Sequence, residues 1–464
     1  MLARISRIKL LEPASLVLAI FLVLYVVISV SGRTIIPVLI AFSASISILA
    51  FTLKRPEYLV LSFFFLLPFS LENPEGVTAG ELAFLSLAVI IAFIFFFLPV
   101  ITGRIKIETP LDKMFLIFTL LLPIASILGL LHGANLYASI GELTYFTGIL
   151  IYFALRHYLD KESFQKSLLF VFTLVLIFVI VRNFYNYQEI ILQAYLPWQV
   201  EKARVTSNEV LILFFTTLCT SSFVYSKNLK QTVFSLLFLG GGFLSLILTQ
   251  SRGYWLAFLI SFSVVFIFVS AKKKNRMVLY FSIILALTLG IAKIYFSDFF
   301  DLIFNAILIR FESISTSAQV DISLLERFQE SATVFSKIAI NPILGYGFGT
   351  EYVKFIFFER IHISTSYIHN GYLAAWYKLG LPGLLILLGI CVSIFRNSFR
   401  IFKNSELLIN KVLGLTIMAT LAGMMLVNNT SPQFLALDSI VLLTVMGAYC
   451  SEFSQSKYMR SSRS

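Results

Sequence analysis

Leu82-AFLSLAVIIAFIFFFLPV-Ile101 runs for 20 residues without one charged side chain. Coiled as a helix at 1.5 Å per residue, such a run is about 30 Å long, the thickness of the hydrocarbon layer of a bilayer. It is one of many. Apolar runs at residues 14–30, 34–53, 58–70, 81–101, 113–131, 138–155, 165–182, 208–225, 231–249, 254–270, 277–297, 371–395, 411–428 and 433–451 read as fourteen spans. The third is short and the sixth starts polar, so twelve to fourteen is the expected range. The first run follows Arg4, Arg7 and Lys9, as in a signal peptide, but no small-residue cleavage site follows it and it is read as a span. The chain as a whole agrees. Of its 464 residues 58% are hydrophobic and only 13% charged, with mean hydropathy +0.90. Soluble domains carry roughly twice that share of charge. The expected fold class is therefore all-α, a polytopic transmembrane helix bundle, and a soluble enzyme or a disordered scaffold is excluded.

Charge sets the expected orientation. With the N-terminus in the cytoplasm, 24 of the 36 Lys and Arg fall in cytoplasmic segments, and every such segment contributes. Both termini are then inside by the positive-inside rule. The net charge of +12 is read as topology charge rather than a nucleic-acid footprint. Cys219, Cys391 and Cys450 lie in apolar runs with no CxxC partner and read as small buried hydrophobes.

The expected division is a transmembrane bundle over 1–297, an extracytoplasmic loop over 298–368, three C-terminal spans over 369–451 and a cytoplasmic tail over 452–464. A second outer segment, 183–207, is also long, and long loops without a domain of their own tend to be functional. Within the larger loop, Leu325, Phe328, Ala332, Phe335 and Ile338 repeat at helical spacing. Asp321 or Ser323 suits the start of that helix and Asn341-Pro342 its stop. It reads as an interfacial helix with its apolar face on the outer membrane surface. Gly345-Tyr-Gly347-Phe-Gly349 after it reads as a sharp turn, since it follows Asn-Pro in a loop and not a strand.

No GxxxxGK[ST] and no HExxH is present, and Asp298-Phe-Phe-Asp301 is the only close Asp pair, best read as a solvated loop start. No cofactor and no metal is expected. What stands out is at outer span ends. Arg252 sits in Leu248-TQSRGY-Trp255, a tight break between two spans, where a guanidinium can face a phosphate or simply anchor a span by snorkelling. Arg204, just before the eighth span, is ordinary alone but makes a second cation at the same face. Guanidinium groups bind diphosphate oxygens bidentately. His369, in Ser364-TSYIHNGY-Leu373, enters the membrane beside polar neighbours, and a free imidazole pKa near 6.5 suits proton transfer. One His and two Arg at one face, with no nucleotide motif, suit group transfer from an already activated lipid diphosphate.

At these residues the sequence resembles the superfamily of bacterial O-antigen ligases and O-antigen polymerases. Arg204-Val-Thr-Ser-Asn208 resembles its Arg-to-Asn span opening, Thr249-Gln-Ser-Arg252-Gly253 its Ser-Arg-Gly turn, and Glu326-Arg327 through Asn341-PILGY-Gly347 its amphipathic helix ending in Asn-Pro and a Gly-x-Gly turn. His369-Asn370-Gly-Tyr372-Leu373, with Gly380 and Gly383, resembles its His-Asn motif and glycine-rich span. The likeness covers residues 200–385, and after Arg204 it departs from the family's glycine-containing stretch. It implies a metal-independent, inverting glycosyltransferase of the bacterial cytoplasmic membrane, working at the outer face on an undecaprenyl-diphosphate-linked glycan. By the family pattern His369, Arg252 and Arg204 are catalytic, and Asn208, Arg327, Asn370 and Tyr372 bind substrate. The implied partners are the lipid-linked glycan, an acceptor glycan or lipid, membrane lipid, a chain-length regulator and a flippase, with no nucleic acid. Fourteen spans and a modest outer loop favour a polysaccharide polymerase (O-antigen, capsule or exopolysaccharide) over a ligase for lipid A core. A lipid-linked glycan transporter and a structural subunit of an export complex are the rival readings. The transporter lacks support from midplane charges or repeated halves.

Overall fold

The computed structural model describes residues 57–69, 87–103, 107–193, 208–295, 322–356 and 360–455, with isolated positions between them, Arg204 and Val205 included. The expected spans at 14–30 and 34–53 lie outside these residues. In chain order the described helices are α1 (Glu57–Leu66), α2 (Leu87–Ile101), α3 (Pro110–Leu131), α4 (Leu136–Tyr158), α5 (Glu162–Leu192), α6 (Glu209–Val224), α7 (Leu229–Leu248), α8 (Arg252–Phe268) and α9 (Ala271–Tyr295). Then follow α10 (Ile322–Ile340), strands β1 (Tyr352–Ile356) and β2 (Ile361–Thr365), and helices α11 (Gly371–Asn404), α12 (Leu408–Val427) and α13 (Leu437–Gln455). Each of the twelve expected spans from residue 58 onward falls on one of these helices. Seven of them, α3, α4, α5, α7, α9, α11 and α12, are long and apolar enough to cross a membrane. The protein is an all-α polytopic bundle, with a small two-stranded sheet among the described residues.

The chain divides into two compact units. One comprises residues 1–105 and 153–175, the other 106–152 and 176–464. In the first, phenylalanines interlock between segments: Phe96 meets Phe153 at 5.0 Å between ring centroids and Phe64 meets Phe172 at 5.2 Å. In the second, helices approach through small residues, as bundles in lipid require. Ser261 of α8 donates to the Ala419 carbonyl of α12 (2.9 Å), and a Cβ on Gly423 would stand 2.7 Å from the Ala257 carbonyl. α3 starts at a capping box. Thr109 accepts from the Asp112 amide, the Asp112 carboxylate accepts from the Thr109 amide, and Pro110 occupies the first turn.

Two findings modify the expected outer segments. Residues 183–192, expected in a loop, continue α5 as helix. Between α10 and α11 the chain forms an antiparallel hairpin, Tyr352 opposite Thr365 through Ile356 opposite Ile361. Its strands, YVKFI and IHIST, carry the β-branched and aromatic residues that favour a pleated surface.

The glycine turn is a wedge rather than a simple corner. Gly345, Gly347 and Gly349 all take the left-handed region, with φ of 70°, 85° and 74°. A Cβ on Gly347 would lie 2.0 Å from the Gly129 nitrogen of α3, and one on Gly345 would lie 2.7 Å from the Gly380 nitrogen of α11. α11 is itself broken at Gly380 (φ 69°), where the Leu381 amide donates to the carbonyls of Pro342 and Ile343. The turn thus satisfies backbone that a broken span would otherwise leave unpaired in lipid. Lys378, almost fully buried, ties the wedge down by donating to the Glu142 carboxylate (2.9 Å) and the Thr350 carbonyl (2.7 Å). Gly347→Ala is expected to combine backbone strain with a clash against α3. The loss is on the order of 4 kcal/mol. It would be read as a collapse of folded protein in membranes and a lowered Tm, whereas Gly141→Ala, which meets nothing within 4 Å, would leave both unchanged.

Candidate functional site

α10 has two apolar faces, and the sequence revealed the outer one. Phe328 (63% exposed) and Phe335 (53%) do lie on an uncovered face with Leu325, as an interfacial helix requires. Ile338, expected on that face, instead belongs to a second stripe, Glu330, Val334 and Ile338, which is packed against Tyr352, Ile368, Ala374 and Tyr377. Asp321, one of the two expected caps, lies outside the described residues.

Glu330 is the buried anchor of that stripe, 2% exposed. Its carboxylate accepts from the His369 backbone N–H (2.6 Å), from His369 Nδ1 (2.9 and 3.1 Å) and from the Lys354 ammonium on β1 (2.8 Å). Burial alone would oppose ionisation, but the hydrogen bonds from His369 and Lys354 outweigh it and hold the Glu330 carboxyl at about 2. A carboxylate only accepts, so Nδ1 donates its proton to Glu330 and Nε2 stands on the far side of the ring, the nitrogen through which the imidazole would act as a base. The imidazole is therefore oriented by a carboxylate, as in general-base sites on unrelated folds. Neither Glu330 nor Lys354 was picked out from the sequence. The available signal was a carboxylate at i, i+4, i+8 with Val334 and Ile338.

The depressed affinity of Glu330 for protons has a consequence for stability. The contribution is complete above the ordinary carboxylate value near 4.3, and it is lost as pH falls towards 2, because the unfolded chain takes up the proton first. The full effect is roughly 3 kcal/mol, of which about half is gone by pH 3. Thermal unfolding of the detergent-solubilised protein between pH 6 and pH 3 should show this fall in the parent and a shallower one in Glu330→Gln.

Three helix N-termini hold the residues expected from the sequence. Asn370 caps α11, its Oδ1 accepting from the amides of Tyr372 and Leu373 (3.0 and 3.1 Å). Asn208 precedes α6 in the left-handed region (φ 54°), and Arg252 is the first residue of α8, after Gln250 at φ 47°. Cross-links gather these ends at one end of the bundle. The Val205 amide donates to the Leu248 carbonyl at the end of α7 (3.3 Å), which keeps exposed Arg204 beside the Arg252 turn. A Cβ on Gly253 would meet Thr430 Oγ1 at 3.0 Å, and Tyr254 donates to Gln433 Oε1 (2.6 Å). The Gly371 amide donates to the Asn428 carbonyl (2.7 Å) in the same turn between α12 and α13. Asn208 also hydrogen-bonds Asp438 at the start of α13.

The structure adds another cation there. Arg182 of α5 donates to Asn208 Oδ1 (2.8 Å), with its guanidinium 5.6 Å from the Phe178 ring. It is the last residue of an expected span, and only the continuation of that helix past it marks it as more than a boundary charge. Arg327 is partly buried one turn before Glu330. The Tyr372 hydroxyl is engaged with the Met425 carbonyl of α12 (2.7 Å), so it braces the helix pair. His132 bonds the carbonyls of Leu128 and Tyr346 and belongs to the glycine wedge. Among the described residues, no three His, Cys, Asp or Glu side chains are grouped as metal ligands.

Residues 233–388 match the O-antigen ligase family model. The match spans Arg252, α10 with Glu330, Lys354 and His369, and leaves Arg182, Arg204 and Asn208 before it. No curated protein matches the chain.

Proposed function

We propose, from the premise that this chain is of the O-antigen ligase and polymerase superfamily, that it moves a glycan from an undecaprenyl-diphosphate carrier onto an acceptor hydroxyl at the outer face of the bacterial cytoplasmic membrane. The observation that carries the reading is the Glu330–His369 pair at the rim of a bundle end that also holds Arg204, Arg252 and Arg182. His369 Nε2 takes the proton of the acceptor hydroxyl as its oxygen attacks the anomeric carbon. The bond from that carbon to the diphosphate oxygen breaks with its electron pair, and the configuration inverts. The departing lipid diphosphate gains charge, which Arg252 and Arg204 stabilise with support from Arg182. Asn370 serves by capping α11, Asn208 by holding Arg182, Lys354 by fixing Glu330, and Arg327 by its place one turn before Glu330 on α10. The step draws on no nucleotide, since the donor arrives activated.

Polymerisation of repeat units is the preferred reaction. Ligation to lipid A core or another acceptor is the second reading, favoured by the description of the matched family. Gels of surface and lipid-linked glycans from a strain lacking the protein separate them. A polymerase predicts single repeat units on the final acceptor and no long ladder. A ligase predicts long polymer retained on its lipid carrier and a bare acceptor. Normal glycans in both fractions would overturn the enzyme reading.

A further inference from the structure

The hairpin places an exposed aromatic beside the histidine. Tyr367 is 52% exposed, and its ring is perpendicular to that of His369, 4.9 Å between centroids at 88°. Its backbone is held on both sides, the amide donating to Thr365 Oγ1 (3.2 Å) and the carbonyl accepting from Tyr352 Oη (2.8 Å). Tyr352 is itself buried in the cluster with Val334 and Ile338. The uncovered phenylalanines of α10 belong to an apolar face. Tyr367 instead follows Ser364, Thr365 and Ser366, with exposed Glu351 accepting from Ser364 Oγ (2.5 Å) on the strand leading to it. This is an aromatic face with hydroxyl and carboxylate neighbours, a surface for a ligand with apolar C–H faces and many hydroxyls.

The geometry adds a constraint. A general base works only within about 3 Å of the hydroxyl it deprotonates. A sugar ring is about as wide as the Tyr367–His369 separation, so one whose hydroxyl meets the imidazole has the exposed Tyr367 ring within reach. We propose that Tyr367 is the stacking platform for the terminal saccharide of the acceptor, positioning its hydroxyl for His369. This rests on the glycosyltransferase reading above, in its polymerase form. A platform held at its backbone loses little entropy when it binds, so it adds affinity without touching the reacting atoms.

The test uses the purified full-length protein and a soluble probe, the repeat-unit saccharide released by mild acid from the lipid-linked glycan that accumulates in the deletion strain. Parent protein and Tyr367→Phe should bind it alike by saturation-transfer NMR. Tyr367→Ala and Tyr367→Ser should bind it on the order of tenfold more weakly. In transfer assays the two truncations should raise the KM for acceptor with kcat little changed, a split that a merely structural role would not produce. His369→Ala should still bind the saccharide but transfer nothing. Unchanged binding by both truncations, or no binding by the parent, overturns the platform while His369→Ala remains inactive. Retained transfer by His369→Ala overturns the underlying reading instead.

Discussion

His369→Ala is expected to lower glycan transfer by about 10³-fold or more while folded protein persists in the membrane at near-parent abundance. General-base catalysis contributes roughly 10²–10⁴. The imidazole is only partly buried, so its removal opens no core cavity. Loss of the surface ladder with unchanged immunoblot signal is the readout, and normal ladders would refute the role. Glu330→Gln sharpens the test. Glu330 accepts from three donors, the His369 amide, His369 Nδ1 and Lys354 Nζ. A Gln has one acceptor oxygen and must turn its own N–H₂ towards one of them. If that is Nδ1, the proton moves to Nε2 and the base is masked. Activity should fall by about 10–10⁴-fold, the span between losing a supporting hydrogen bond and reversing a tautomer. Lys354→Met keeps the carboxylate and both of its contacts to His369, and should cost less.

The second large effect is expected at Arg252. As the first residue of α8 it stands at the positive end of a helix dipole, where an anionic ligand is favoured by about 0.3–1 kcal/mol. A diphosphate bound there would meet the guanidinium and the helix N-terminus together. Arg252→Ala should therefore reduce turnover by about 10²–10³-fold while folded protein persists in the membrane. Arg252→Lys should recover only part, because an ammonium cannot bind two oxygens as a planar fork. Stability that drops with activity would mark Arg252 as a scaffold residue. Arg204→Ala and Arg182→Ala, measured alongside, divide the remaining charge between the expected cation and the one that α5 supplies.

How much of this was legible follows from the range of each signal. The runs at 113–131, 231–249 and 371–395 announced helices because hydropathy is a property of contiguous residues, and α3, α7 and α11 stand where the runs do. The hairpin was passed over because YVKFI and IHIST are short, and their pairing depends on a turn through Arg360 in the left-handed region (φ 54°). The stop of α5 was set too early because Arg182-Asn183 resembles the end of a span. The helix continues past them with Asn183 fully buried and Arg182 reaching Asn208, a contact 26 residues further along the chain.

By itself the sequence determined that this protein is a membrane helix bundle, which segments are its helices, and which motif residues begin α6, α8 and α11. Periodicity and apolar run length act within a few turns and need no partner. The tertiary structure alone decided that Glu330 meets His369 across 39 residues, that Lys354 holds the same carboxylate, and that the glycine turn closes the break at Gly380. Those choices depend on which faces pack together, and a buried carboxylate one turn from Val334 looks like any other helical Glu until the histidine it orients is brought against it.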